Sequence, residues 1–216
     1  MRVDTQPRVH SIADTLLADV RAGRLEDVIP GDRSLLLVFD GTDTGERSVR
    51  RALALAVAGG AEGEPITSGR EPRERVIPVS YGDADGPDLA EAAALAGVSA
   101  RELVELHSGR RHTVLFLGFA PGFPYLGDIA PLVVPRLVSP RTTTPQGSVA
   151  LAESYTGIYP ATLPGGWRVV GRTSVLLFDP AAEPPTYLLP GDTVRFEAVA
   201  AGDLPAEPDR PADWAG

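Results

Sequence analysis

Arg136, Arg141 and Arg172 fall within a stretch, Phe116 to Thr173, that also carries Phe119, Phe123, Tyr125, Tyr159 and Trp167. A guanidinium can hold a carboxylate or phosphate through two parallel hydrogen bonds, and aromatic side chains can wall an apolar ring or an adenine. Anion capture beside an apolar surface is the chemistry these residue types offer. The stretch reads FLGFAPGFPYLGD, then PRLVSPRTTTPQGS, YTGIYP and PGGWRVVGRT. Glycine admits positive φ and close backbone approach, while proline fixes φ, so loops this rich in both are rigid presenters of side chains. The Gly165–Gly166 pair could turn backbone N–H groups toward an anion, or form a tight turn before Trp167.

Other chemistry-bearing residues are weaker candidates. His107 falls at the end of a predicted helix, where an imidazolium interacts well with the dipole. A capping or packing role fits it better than catalysis, although catalysis stays open. His112 reads as a strand-edge side chain and His10 as a mobile one. No HxxxH or HxH spacing occurs, so no metal is expected on this chain. Asp83, Asp85 and Asp88 in YGDADGPDL lack the twelfth-position glutamate of a calcium loop and read more simply as the start of a helix. Ser148 in PQGSVAL is not in a G-x-S-x-G nucleophile elbow.

Composition narrows the function classes. The chain has 216 residues, enough for a substantial core, and a net charge of −9. All its basic residues apart from histidine are arginine, and it has neither cysteine nor asparagine. Disulfides, thiolate ligands, Schiff-base lysines and a P-loop lysine are therefore excluded. The acidic balance argues against nucleic-acid binding. No apolar run approaches the ~18–20 residues of a membrane span, and the N-terminus has no apolar signal core. A cytoplasmic location is expected, with no membrane partner.

The elements that must position the site are short. Ser11 and Asp14 suggest a helix start, with Ile12, Leu16 and Val20 on one face and Gly23 as its end. Ser34–Phe39 reads as a buried strand, and Glu46–Ala58 as a helix with Val49, Leu53 and Val57 along one side. Residues 59–75 are rich in glycine, proline and charge and read as a linker. Beyond it come a strand at Val76–Tyr81, a helix at Asp88–Ala96, and another opened by a Ser99/Glu102 capping box and closing near His107. Further strands are expected at Thr113–Phe119, Ser148–Leu151, Arg168–Val170, Val175–Phe178 and Thr193–Val199. Short strands between turn residues suggest an antiparallel barrel or sandwich. The tail, residues 201–216, is acidic, proline-containing and expected to be mobile.

Taken in order, GFAPGFPYLG, PR, SPR, P-x-GS, TGIYP, PGGW and GRT resemble the family that includes the B-type subunit of 5-oxoprolinase, the sporulation-kinase inhibitor KipI and allophanate hydrolase subunit 1. The match runs over roughly residues 76–199, with IPVSYG, LHSG and PGDTVRF in support. The resemblance implies an α+β chain: a small N-terminal α/β domain over 1–58, then a cyclophilin-like β-barrel over 76–200. Against the family pattern, the N-terminal sheet is expected to lack its first strand. It further implies a C-type subunit as partner, with an A-type subunit for full activity. The complex would open 5-oxo-L-proline to L-glutamate with ATP as co-substrate, this chain being inactive alone. A KipI-like inhibitor of a sensor histidine kinase and part of a urea carboxylase or allophanate hydrolase module are the alternatives. Matched by position, His107, Arg136, Arg141 and Arg172 become catalytic candidates. Phe119, Pro121, Gly122, Phe123, Tyr125, Ser148, Tyr159, Gly165, Gly166, Trp167 and Thr173 become candidate substrate or nucleotide contacts. Glu153, Tyr155, Thr144 and Gln146 depart from the family's usual residues.

Overall fold

Leu16 is fully buried in α1 (Gln6–Arg21), with Ala13 buried beside it and Ile12 and Val20 flanking. That spacing is the apolar stripe of an amphipathic helix. The computed structural model describes residues 6–31, 34–57 and 72–214. The helix begins ahead of Ser11 and ends at Arg21, with Gly23 taking φ +67° just beyond it. A hairpin follows, β1 (Asp27–Pro30) antiparallel to β2 (Leu35–Val38), and then α2 (Asp43–Val57). The expected Ser34–Phe39 strand is present but not buried. Leu35 and Leu37 pack toward Leu16 and Val28, whereas Leu36 is 59% exposed, because a two-stranded sheet has a second face that α1 and α2 leave open. Leu53 of α2 is likewise exposed.

Contacts divide the chain at Pro72. Residues 58–71, most of the expected linker, lie outside the described residues, and its last two residues already belong to β3 (Glu74–Tyr81). After β3 come α3 (Leu89–Ala96) and α4 (Ala100–Ser108). Ser99 caps α4 as anticipated: its Oγ accepts from Glu102 N at 3.2 Å, and the Glu102 carboxylate accepts from Ser99 N at 2.8 Å. Such a box stabilises a helix by ~1 kcal/mol. The remaining elements are β4 (Arg111–Leu117), β5 (Pro124–Leu126), β6 (Arg141–Thr144), β7 (Ser148–Ala152), β8 (Tyr155–Ile158), β9 (Leu163–Gly165), β10 (Arg168–Arg172) and β11 (Thr193–Val199).

Seven of these strands close into a barrel in the order β10-β3-β11-β4-β5-β8-β7, and β6 pairs with β9 in a separate ribbon. Only the β3–β11 pair is parallel. Inward residues alternate along the strands, so Ile77, Val79, Val149, Leu151, Val194 and Phe196 meet Leu103 of α4 in one core.

Two expectations need correction. Val175–Phe178 is not a barrel strand. Leu177 is buried, but the segment forms only isolated bridges, Val175 with Asp209 and Phe178 with Thr186. Its backbone partners lie in irregular chain, as in the bond from Leu176 N to Asp209 O. The tail is not loose either. Trp214 is 2% exposed, its Nε1 donates to Pro184 O at 2.8 Å, and Arg75 pairs with Asp213. Tyr187 donates to Asp213 Oδ1 at 3.1 Å, and burial pushes its phenol up to about 12. One large aromatic supplies enough apolar burial to hold a segment whose composition is otherwise loop-like. No described helix is long and apolar enough to cross a membrane.

Candidate functional site

The β4–β5 turn brings the aromatic words together. Phe119 sits at its tip with φ +70°, a conformation uncommon outside glycine, and remains 61% exposed. Its ring meets Phe123 edge-on at 5.4 Å and Tyr159 at 6.4 Å. Phe123 lies beneath, 1% exposed, edge-on to Tyr159 at 5.2 Å and to Trp167 at 5.3 Å. Tyr125 joins Trp167 at 5.4 Å and stacks on Phe116 at 4.3 Å, with Tyr155 edge-on to both. Two glycines permit this closeness. A Cβ on Gly157 would lie 3.0 Å from Trp167 Cζ3, and one on Gly165 would collide with the Tyr159 hydroxyl. Burial raises the Tyr125 and Tyr159 phenols, so both stay neutral donors at ordinary pH.

Two of the three arginines edge this cluster. The Arg136 guanidinium lies 5.8 Å from the Trp167 ring centroid, and its Nε donates to Glu153 Oε1 at 3.3 Å. Arg141 donates from Nη2 to Asp88 Oδ1 at 2.6 Å and reaches Trp167 O at 3.5 Å. Asp88 is 6% exposed and also accepts from Val169 N at 2.7 Å. Gly166 backs the cluster, its carbonyl accepting from Leu137 N at 2.8 Å, while Pro121 and Gly122 shape the Phe119 turn.

The other candidates lie elsewhere. Arg172 donates from Nε to Asp85 Oδ1 at 2.7 Å and borders a separate cavity with Gly147 and Thr173. Burial opposes ionisation of Asp85, yet hydrogen bonds from Arg172 and Ser80 hold its carboxyl below the usual range. Ser148 and Thr173 are buried, and the Thr173 hydroxyl accepts from Val175 N at 3.2 Å.

His107 is a packing residue of the barrel interior rather than a cap at the surface. It is 0% exposed and stacks on Phe196 at 4.4 Å. Tyr81 and Nδ1 are 2.7 Å apart, Nε2 and Thr156 Oγ1 2.9 Å, and Thr156 donates onward to Ala150 O. That chain assigns the neutral Nε2–H tautomer, with Tyr81 donating to Nδ1. Burial first, then the charges of His112 and Arg110, hold its pKa well below the usual imidazole value. His112 is equally buried, its ring nitrogens facing Gly127 O and His107 O, rather than at a strand edge.

Sequence reasoning read Asp85 and Asp88 only as a helix start; Asp88 does precede α3, but both carboxylates also fix arginines, Asp85 holding Arg172 and Asp88 holding Arg141. The signal was available: a carboxylate-rich, glycine-rich turn with no lysine to pair with leaves arginine as its partner. Among the described residues, no group of three or more His, Cys, Asp or Glu could hold a metal.

A family model described as carboxyltransferase domain, subdomain C and D, matches residues 1–188. The chain belongs to this carboxyltransferase-domain family. It is 53% identical over 129 residues to the B-type subunit of 5-oxoprolinase from Escherichia coli O157:H7, and 44% identical over 131 residues to its counterpart of the same name in Bacillus subtilis. These matches cover 58% and 60% of this chain, and 59% and 55% of the relatives, so each spans somewhat over half of either protein. Among solved structures, TTHA0988 superposes with a TM-score of 0.74 at 37% identity, covering 96% of this chain and 39% of that longer one. The Kluyveromyces lactis urea carboxylase, at 19% identity, shares the fold with a TM-score of 0.70 over 91% of this chain and 20% of its own. The carboxyltransferase-domain chain is thus similar to modules that form part of larger proteins.

Proposed function

We propose that this chain is the B-type subunit of an ATP-dependent 5-oxoprolinase, a hydrolase that opens 5-oxo-L-proline to L-glutamate. The observation that carries the reading is the 53% identity over 129 residues to the Escherichia coli B-type 5-oxoprolinase subunit. In this reading the chain is inactive alone and works in a heteromer with C-type and A-type subunits. ATP is the co-substrate of the complex, since a five-membered lactam is unreactive and phosphoryl transfer activates it. The exposed Phe119 edge is the part of the site that faces the C-type subunit. An apolar ring standing free of the core on a strained turn is costly unless a partner covers it.

Co-expression of the three subunits, followed by an ATP-coupled assay on 5-oxo-L-proline, tests the reading. The assembled complex turns over and the isolated chain does not. Failure to co-purify with a C-type subunit, or turnover driven by urea in place of oxoproline, overturns it.

A further inference from the structure

Arg172 and Ser174 stand on a cavity of about 280 Å³ apart from the aromatic cluster. Pro145, Val175 and Ala206 contribute apolar lining, and Thr162 also lines it. The Arg172 Nε is committed to Asp85, whereas Nη1 and Nη2 make no hydrogen bond to the described residues. Ser174 is 6% exposed, and its hydroxyl likewise has no hydrogen-bond partner among the described residues, although its carbonyl accepts from Asp209 N. Thr162 Oγ1 accepts from Gln146 N at 3.3 Å, which leaves its own hydrogen to donate. Three sets of donors therefore lack acceptors around one small space.

We propose that this cavity is a binding site for a small monocarboxylate with a compact aliphatic body. The two free Nη groups form a planar fork that matches the two oxygens of a carboxylate. Asp85 offsets most of the Arg172 charge, so the site suits a monoanion read by hydrogen bonds rather than a phosphate held by net charge. The volume is just below the ~300 Å³ at which drug-sized ligand pockets begin, so a five-membered ring bearing one carboxylate is of fitting size. The apolar lining takes the ring, and the donors take the carboxylate. This site is independent of the heteromer, because every group in it belongs to this chain.

The test is an amide and arginine-Nε NMR titration of the full chain with cyclopentanecarboxylate, 5-oxo-L-proline, 2-pyrrolidinone and inorganic phosphate. Both carboxylates should bind saturably and shift Arg172 Nε and the amides of Thr162 and Ser174, whereas 2-pyrrolidinone, which lacks the carboxylate, should not. Arg172→Gln should weaken binding by ~10-fold or more, and Ser174→Ala by ~5-fold. Ala206→Trp, an exposed position at the lining, should block the space whether or not the arginine variant folds. The proposal is overturned if neither carboxylate shifts these signals, if 2-pyrrolidinone binds as well, if phosphate binds more tightly, or if Ala206→Trp leaves binding unchanged. Binding of cyclopentanecarboxylate without any oxoprolinase activity in the assembled complex would sink the functional reading and leave this one standing.

Discussion

Two ring clusters occupy the barrel and differ in what surrounds them. Inside, Tyr81, His107, His112 and Phe196 pack with neighbouring ring centroids between 4.4 Å and 5.7 Å apart, and the His107 ring and the Tyr81 hydroxyl both have hydrogen-bond partners. On the outer face of β7 and β10, against Ala150, Ala152 and Val169, the rings of Phe119, Phe123, Tyr159 and Trp167 form an edge-to-face group whose outermost ring is 61% exposed, with a guanidinium beside the group. The inner cluster contains the residue type most often used in catalysis, but both of its histidines are fully buried. The outer one contains no histidine or carboxylate and meets solvent. Residue type alone therefore points to the inner cluster, whereas exposure points to the outer one, and hydrogen-bond satisfaction separates them.

Breaking each cluster at its buried member should cost most. Phe123→Ala removes the ring beneath Phe119 and should destabilise the chain by ~3–5 kcal/mol in urea unfolding. Trp167, also buried, should behave similarly, so neither substitution cleanly reports on assembly. His107→Ala should cost ~2–4 kcal/mol by the same measurement, since it opens a void and leaves the Tyr81 hydroxyl without an acceptor. A smaller effect sharpens the contrast through pH. Burial lowers the pKa of His107 and of His112 in the folded chain, so the unfolded state binds more protons below the ordinary imidazole value of 6.5. This contribution to stability is present above about pH 6.5 and is lost as pH falls toward the folded values. The unfolding midpoint should therefore drop between about pH 7.5 and pH 5.5, and drop less in His107→Ala. The smallest effect belongs to the outer ring: Phe119→Ala should change stability by less than ~0.5 kcal/mol.

The barrel was largely legible because its strands carry regular signals. Thr193–Val199 alternates and follows a Pro-Gly-Asp turn, and the Ser99 capping box sets the start of α4. What escaped were strands with no periodicity of their own. Pro124–Leu126 and Leu163–Gly165 are three residues each, contain proline, and exist only because neighbouring chain supplies partners. The aromatic cluster was foreseeable from the density of glycine and rings, but its division into buried Phe123 and exposed Phe119 was not. That division depends on the positive φ at Phe119, which no residue type announces. The placement of Arg172 away from the other arginines follows from the strand path of β10, which sends Arg168 and Arg172 to opposite ends of one strand.

The central claim is that the outer aromatic edge is where a C-type subunit sits. Measuring the affinity of the co-purified C-type subunit for the native chain and for Phe119→Ala tests it most directly. The account predicts a loss of ~30-fold or more, as for an interface aromatic worth ~2 kcal/mol, with the unfolding curve of the isolated chain unchanged. Equal affinity of the two proteins for the C-type subunit would contradict it.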